Sequence, residues 1–324
     1  MDTMRVALGQ MNELTEENLL FARQLGIQDV QMNTPRLPGD TEWAFMDLLR
    51  LRTRAEDAGL RLIALENVPV SFYDKIMLGL PGRDEQLEHM ATTISNLGRA
   101  GMPVLGYHWM PNSVWRTSTT AKGRGGVAVT GFDMNLAQNA PLTHGREVTA
   151  EEMWSNWEVY IKTLLPVAEE AGVTLALHPD DPPVDALGGV ARIFSSFAGF
   201  KRAMEIGDSP NHGLDFCHGC WSEMTEERSG GVLDALRYFG SRGKLVYLHF
   251  RDVQGCGPVF QECFLGEGNM DMLDVLLTLK EVGFTGFLLD DHVPHMVGDS
   301  PYGHRARAHA IGYMQALLHA VERL

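Results

Sequence analysis

The chain has 324 residues, of which 44% are hydrophobic and 21% charged, and its formal net charge at pH 7 is −15. This composition is typical of a folded protein with a substantial core, and the acidity argues against a nucleic-acid or anionic-membrane partner, because no basic face is found. We find no secretory signal pattern, and no stretch approaches the roughly 18 apolar residues of a membrane helix. We therefore expect a cytoplasmic protein.

Apolar runs that end at polar residues alternate with segments of helical periodicity along the chain. Glycine follows several of the helical segments, as expected of helix stops. The predicted strands begin near residues 6, 27, 60, 103, 173, 212, 245 and 286, and the predicted helices cover 15–25, 41–58, 83–100 and 150–171, with others near 190–206, 230–242, 270–282 and 304–322.

Eight strand–helix units predict parallel strands and a closed (β/α)8 TIM barrel, which we expect to form a single domain over 1–324. An open doubly wound sheet is the alternative. It usually carries a phosphate-binding glycine loop after the first strand, and the sequence at 9–12 offers none. The tract at about 110–149 is rich in Gly, Thr, Asn and Arg and is predicted to be an irregular loop insertion after the fourth strand, where function often collects.

Four potential metal ligands stand at the ends of four successive predicted strands. They are His178, Cys217, His249 and Asp291, with successive separations of 39, 32 and 42 residues, about one strand–helix unit each. Because barrel strands end at one face, these side chains are expected to converge. Imidazole, thiolate and carboxylate together favour iron(II), manganese, zinc or cobalt, and the thiolate argues against magnesium or calcium.

The Cys217–Cys220 spacing leaves two further interpretations open, a redox pair and half of a zinc ribbon. A zinc ribbon needs a second close pair, whereas Cys256 and Cys263 are seven residues apart. Four cysteines are also too few for a disulfide scaffold in a chain of this length. We expect Cys220, Cys256 and Cys263 to be core or loop thiols.

Other polar residues near the strand ends are candidates for substrate binding or proton transfer. The cations of the long loop, including Arg116, suit an anionic substrate such as a sugar acid, and Trp109 and Trp115 are candidates for the pocket wall. Asp180, Asp181 and Asp290 are candidates for orienting metal ligands. The segment after the eighth strand carries four candidates for acid or base: His292, His295, Tyr302 and His304.

Several motifs spread over nearly the whole chain point to one family. The most specific is the His-Pro-Asp-Asp-Pro-Pro string at 178–183, and the others lie at 5–11, 66–70, 74–76, 115–117, 216–219, 248–252 and 291–292. Together they resemble the D-mannonate dehydratase family. The sequence departs from that family's pattern beside Asp291, with Leu289–Asp290 in place of Arg–Pro and Val293–Pro294 in place of Gly–Arg.

The resemblance implies a xylose-isomerase-like barrel that removes water from D-mannonate to give 2-keto-3-deoxy-D-gluconate, with one Mn²⁺ or Fe²⁺ per chain. The family's metal ligands fall on the same four residues. The implied catalytic residues are Tyr302 as base, His292 as acid and Arg116 as a clamp. The substrate-binding candidates are Arg116, Asp180, Arg251 and Trp109.

Two other functions stay open from the sequence. One is a metal-dependent sugar isomerase or epimerase on the same barrel, and the other is a barrel that binds sugar acids without turning them over. A small-molecule sugar acid is the expected partner in the dehydratase interpretation, and a homo-oligomer is expected because barrels of this kind often associate.

Overall fold

A computed structural model describes residues 4–324 of the chain. Within these residues, eight parallel strands close into a barrel, and their order around it follows their order in the chain. Pairing of Arg5 with Phe287 joins the first strand to the eighth. The predicted (β/α)8 fold is therefore confirmed. The barrel strands, first to eighth, are Arg5–Met11, Asp29–Asn33, Arg61–Glu66, Val104–Tyr107, Thr174–Leu177, His212–Cys217, Leu245–His249 and Phe287–Leu289.

The helices of the repeat lie at or within a few residues of the predicted segments. The segment near 190–206 becomes helical only at Phe197, because 186–191 forms a small two-stranded sheet. The long helices are Glu16–Gln24, Phe45–Asp57, Arg83–Arg99, Ala150–Ala171, Phe197–Ile206, Val232–Gly240, Met272–Glu281 and His304–Arg323. Shorter ones are Asp74–Leu78, Met134–Ala137, His218–Glu223 and Glu226–Ser229, with 3₁₀ turns at Val70–Phe72 and Arg124–Gly126.

The helix Ala150–Ala171 shows how local sequence fixes these elements. Thr149 and Glu152 form a capping box at its start, and Gly172 ends it with a φ of 67°. Its apolar side buries Trp157 and Ile161 completely against the barrel, in the main core between strands and helices.

The barrel interior is filled by small residues and by two aromatic rings. Tyr247 stacks on Phe287 with 4.8 Å between ring centroids. A Cβ atom on Gly106 would lie 2.2 Å from the Tyr247 hydroxyl oxygen, so only glycine fits beside this ring. The tyrosine hydroxyl in turn points toward the C-terminal face and lies 3.3 Å from the carboxylate of Glu66.

The tract at 110–149 is more regular than predicted. Its strands Ser118–Lys122 and Ala128–Asp133 form a hairpin around a turn in which Gly125 and Gly126 have positive φ angles. The hairpin pairs with strands Asp252–Cys256 and Val259–Cys263, which follow the seventh barrel strand, to make a four-stranded antiparallel sheet. This pairing joins segments more than 100 residues apart, which local periodicity does not specify. The sheet lies beside the C-terminal end of the barrel.

Among residues 4–324, no helix is both long enough and apolar enough to cross a membrane. Residues 1–3, which the predicted domain at 1–324 includes, lie outside the described residues. The assignment of one domain stays a prediction.

Candidate active site

Four potential metal ligands lie together at the C-terminal end of the barrel. Cys217 and His249 are the last residues of the sixth and seventh strands and are paired in register. The fifth strand ends at Leu177, one residue earlier than predicted, so His178 follows it directly. Asp291 lies two residues after the eighth strand, which ends at Leu289. All four are buried, with exposed fractions of 8%, 0%, 1% and 6% for His178, Cys217, His249 and Asp291. The barrel register therefore brings the predicted set to one face.

The ligand atoms of these residues are close enough to share one ion. Those of Cys217, His249 and Asp291 all lie within 4.8 Å of one another. Asp291 Oδ2 is 3.6 Å from His249 Nδ1 and 3.9 Å from Cys217 Sγ. His178 has a ligand atom within 4.8 Å of Cys217 and one within 4.8 Å of His249, and the two imidazole centroids are 5.1 Å apart.

The hydrogen bonds of His178 and His249 each occupy one ring nitrogen and leave the other available to bind a metal. His178 Nδ1 donates to the carbonyl oxygen of Pro179 at 2.7 Å, so its Nε2 carries the lone pair. His249 Nε2 lies 2.8 Å from Glu66 Oε2, while its buried Nδ1 has no hydrogen-bond partner among the described residues. Histidines that bind metals in proteins are usually held in this way by the second ring nitrogen. An unpartnered, buried imidazole nitrogen fits an ion held at this position.

The sulfur of Cys217 has the character of a thiolate. Burial raises the pKa of Cys217, but a hydrogen bond from Cys220 and the positive charge of Arg251 lower it well below the usual range. A thiolate is the form that binds metals. Two imidazoles, one thiolate and one carboxylate make a mixed donor set that suits a first-row divalent ion.

Arg251 holds together a buried group of acids behind the ligands. Its Nε donates to Asp291 Oδ2 at 2.9 Å, its Nη1 to Glu223 Oε1 at 2.8 Å and its Nη2 to Asp181 Oδ2 at 3.1 Å. Cys220 Sγ is also 3.1 Å from Nη2. Asp181, Cys220 and Glu223 would themselves be close enough to hold an ion. The guanidinium already occupies that position as the cation.

His292 is the most accessible polar group of the site, with 37% of its side chain exposed. Its Nδ1 donates to Glu262 Oε1 at 2.5 Å, and its Nε2 lies 3.7 Å from Asp291 Oδ1. Burial lowers the pKa of His292, but the carboxylates of Asp291 and Glu262 raise it to about 9. The raised pKa favours the imidazolium form, which has a proton to donate. Glu262 belongs to the four-stranded sheet, which thus contributes directly to the site.

The family model described as D-mannonate dehydratase (UxuA) matches residues 8–144 and 135–324, nearly the whole chain. The chain belongs to the D-mannonate dehydratase family. The resemblance predicted from the motifs is confirmed, and dehydratases of this family are hydro-lyases.

Named relatives support the same family assignment. A mannonate dehydratase from Streptococcus equi subsp. zooepidemicus is 30% identical, with 91% of this chain and 88% of the relative covered. One from Thermotoga maritima is 28% identical, with 89% of each chain covered.

Two solved structures resemble this chain to different degrees, one as a member of the same family and one in fold only. The crystal structure of a mannonate dehydratase from Streptococcus suis superimposes with a TM-score of 0.91 at 29% identity, covering 100% of this chain and 95% of that one. A structure of L-ribulose 3-epimerase reaches a TM-score of 0.66 at 16% identity and covers 99% of this chain and 96% of that one. The second likeness shows the barrel fold alone.

Two predicted substrate-binding residues of this dehydratase-family chain are directed elsewhere. Asp180 Oδ2 accepts a hydrogen bond from the Phe194 amide at 2.6 Å, so its carboxylate turns back into its own loop. Trp109 is 1% exposed and packs on Tyr160 with 5.1 Å between ring centroids. Both side chains are buried, and Trp109 is part of the main core. These contacts disfavour the two roles in substrate binding, which stay predictions. Asp181, next to Asp180, is the acid that reaches the site.

Both predicted arginines lie at the site, in different roles. Arg251 is 2% exposed and its guanidinium pairs with the surrounding acids, including Asp291. These contacts disfavour its role in substrate binding, which stays a prediction. Arg116 forms a two-pronged ion pair with Asp181 and donates to Glu262 at 3.0 Å. It lies beside His292 in the wall of the site, and its role as a substrate clamp stays a prediction.

The environment of Tyr302 disfavours its predicted role as base. Its hydroxyl donates to the carbonyl oxygen of Gly9 at 2.6 Å. Burial raises the pKa of Tyr302, and the nearby Arg307, 4.4 Å from the ring centroid, lowers it only in part. His304, another candidate, donates or accepts at Ser300 Oγ and packs on Phe21.

Several functional neighbours were not predicted from the sequence. Glu66 and Asp215 lie beside His249, and Glu223 and Glu262 lie beside Arg251. Asp215 carried a signal, since it is a charged residue inside the apolar run of the sixth strand. Glu66 carried a similar signal, since it is a charged residue at the end of the apolar run of the third strand. Glu262 carried none, because its position depends on the long-range pairing of the four-stranded sheet.

Proposed function

We propose that this chain is a metal-dependent hydro-lyase that converts D-mannonate to 2-keto-3-deoxy-D-gluconate. The family assignment and the dehydratase relatives support the reaction. The single observation that carries the metal dependence is the buried cluster of His178, Cys217, His249 and Asp291, in which the Nδ1 atom of His249 has no partner within residues 4–324. We propose that these four residues hold one Mn²⁺ or Fe²⁺ ion.

The reaction requires loss of the proton at C2 and of the hydroxyl at C3, after which the enol product becomes the 2-keto acid. The chemistry that a bound ion supplies is Lewis-acid stabilisation of the negative charge that develops as the C2 proton leaves. His292 is our candidate acid. It is accessible, is held by the buried carboxylate of Glu262 and lies 3.7 Å from Asp291, so as an imidazolium it can deliver the proton with which the C3 hydroxyl leaves as water.

The sugar acid carries a negative charge that the site must balance. Arg116, held by Asp181 and Glu262 at the edge of the site, is our candidate for this contact. Binding would require the guanidinium to exchange part of its present pairing for the substrate carboxylate, to which an arginine can donate two parallel hydrogen bonds. Tyr302 remains the base implied by family resemblance, although its contact with Gly9 disfavours it.

Turnover of D-mannonate by anaerobically prepared protein tests this function. The protein is loaded with Mn²⁺ or Fe²⁺, and formation of a 2-keto-3-deoxy acid is followed by mass spectrometry, with metal-stripped protein as the control. D-gluconate, which differs only at C2, tests the choice of sugar acid. Metal-dependent formation of the keto acid from D-mannonate is the expected result.

Two other results would redirect the assignment. Metal binding without any keto-deoxy acid would contradict the choice of substrate. Conversion of D-mannonate to its C2 epimer, which has the same mass and is separated by chromatography, would indicate epimerase chemistry. A homo-oligomer and a cytoplasmic location stay predictions. Light scattering of the purified protein tests the first.

A further inference from the structure

Glu66 lies at the centre of a buried polar cluster at the end of the third barrel strand. The residue is 2% exposed. Its carboxylate is surrounded by hydrogen-bond donors from the first, second, third and seventh strands. The donors and their distances are Gln31 Nε2 at 2.6 Å, Gln10 Nε2 at 3.3 Å, Tyr247 Oη at 3.3 Å, Asn33 Nδ2 at 3.2 Å and Asn67 Nδ2 at 3.4 Å.

A sixth contact joins this cluster to the candidate metal site. Glu66 Oε2 lies 2.8 Å from His249 Nε2. Because every other neighbour of the carboxylate is a neutral donor, the histidine proton is expected on Nε2, where the carboxylate accepts it. The opposite nitrogen, Nδ1, is then left with a lone pair, 3.6 Å from Asp291 Oδ2.

We propose that Glu66 is a positioning residue for the metal. It fixes the tautomer and the orientation of His249 so that Nδ1 is available as a ligand. The inference rests on the proposed metal site and goes beyond it by naming the residue that prepares a ligand. Partners of this kind typically change metal affinity by roughly 10–100-fold when they are removed.

Asp215 is the competing candidate for this role. Its Oδ2 is 3.4 Å from the same nitrogen of His249, and neither of its oxygens has a hydrogen-bond partner in the part of the chain that the structure describes. The contact of Glu66 is shorter by 0.6 Å, the difference between 3.4 and 2.8 Å. The Glu66 carboxylate is also held in place by the amides around it, whereas that of Asp215 is not.

The experiment compares Mn²⁺ affinity, measured by titration calorimetry, in four full-length proteins. They are the wild type, Glu66→Gln, Asp215→Asn and a matched control, Asp29→Asn. Asp29 is a buried carboxylate of the second barrel strand at the opposite end of the barrel, where it pairs with Arg5 and Arg61. We expect the dissociation constant to rise roughly 10–100-fold in Glu66→Gln and to stay near the wild-type value in the control.

A second measurement observes the wild-type protein and does not depend on the folding of the Glu66 or Asp215 variants. In wild-type protein labelled with ¹⁵N-histidine and loaded with Zn²⁺, long-range ¹⁵N–¹H correlation spectra show which ring nitrogen of His249 carries the proton. The signal is assigned by its loss in His249→Gln. We expect the proton on Nε2. If Glu66→Gln fails to fold, Glu66→Asp keeps the charge but withdraws it from His249, and an intermediate loss of affinity is expected.

Each outcome bears on a different part of the inference. Failure of the wild type to bind Mn²⁺ would overturn the metal site and, with it, the role of Glu66. Wild-type binding that Glu66→Gln weakens no more than Asp29→Asn does would overturn the role of Glu66 alone. A larger loss in Asp215→Asn than in Glu66→Gln would transfer the role to Asp215, and a proton on Nδ1 would contradict the proposed tautomer.

Discussion

The two halves of the barrel mouth differ in their chemistry. The ends of the fifth to eighth strands carry the charged set of His178, Cys217, His249 and Asp291, all buried. The ends of the first three strands carry neutral amides at Gln10, Asn33 and Asn67, which are half-buried. One half therefore offers the donor set of the proposed ion, while the other supplies neutral hydrogen-bond donors.

A single acid joins the two halves. Glu66 belongs by sequence to the amide half, yet its carboxylate reaches His249 in the charged half. The same side chain accepts from Gln31 and Asn33. The two kinds of side chain are therefore separated at the strand ends, but the contact between Glu66 and His249 joins the two halves inside the barrel. The following variants test whether metal binding and proton transfer depend on the charged half alone.

Cys217→Ala should have the largest effect, because it removes one of the four ligands of the charged half. We expect loss of tight Mn²⁺ binding and a fall in kcat/KM on the order of 10⁴-fold, since Lewis-acid stabilisation is worth several kcal/mol. Calorimetry and the keto-acid assay check both. Cys220→Ala is the matched control, since this thiol is equally buried and lies next to Arg251. Equal losses in both variants would make Cys220 a ligand as well.

Arg251→Met should have the next largest effect, on stability. It leaves Asp291, Glu223 and Asp181 buried without their shared cation. Breaking buried ion pairs from one side typically costs about 3–5 kcal/mol. Urea denaturation measures the change in the free energy of unfolding. The control is Lys162→Met, which removes an exposed helical pair with Glu158 and should cost less than about 0.5 kcal/mol. Similar values for both would contradict the buried network.

His292→Asn tests the proposed acid of the charged half. We expect kcat to fall roughly 10²–10³-fold, within the range for general acid catalysis, with Mn²⁺ affinity close to that of the wild type. The comparison of kcat with the calorimetric affinity separates proton transfer from metal binding. His295→Asn is the control, because His295 is an exposed histidine three residues further along the chain. An unchanged kcat in His292→Asn would rule out the acid assignment.

How far the site follows from the sequence depends on what fixes each residue. The strands that carry His178, Cys217 and His249 are predictable because apolar runs ending in a ligand repeat at the spacing of a barrel unit. Which of Asp180 and Asp181 reaches the site is not predictable in this way. Both acids lie in a loop, where the direction of a side chain follows no regular period. The period of two predicts side-chain direction within a strand, but it says nothing about the residues of the loop that follows.

Long-range pairing accounts for the other differences. Glu262 enters the site only because Val259–Cys263 pairs with Ala128–Asp133, a contact between two loops that helix and strand patterns do not encode. Trp109 follows the fourth strand and suggested a pocket wall, but its ring packs under Tyr73 and Tyr160 in the core. An apolar side chain at a strand end can turn either way, and packing with distant residues decides which.

Tyr302→Phe should have the smallest effect and tests whether this phenol, which follows the eighth strand and contacts the first, takes part in proton transfer. The phenol hydroxyl is bound to the carbonyl of Gly9 on the first strand, so its removal should cost about 1 kcal/mol of stability and change kcat less than tenfold. Tyr313→Phe is a matched control on the last helix, where the ring is only partly buried. A fall in kcat of roughly 10² or more in Tyr302→Phe, within the range for general base catalysis, would restore the base assignment. It would then require the hydroxyl to leave the carbonyl oxygen of Gly9 when substrate binds, so the contact with the first strand would be broken during the reaction.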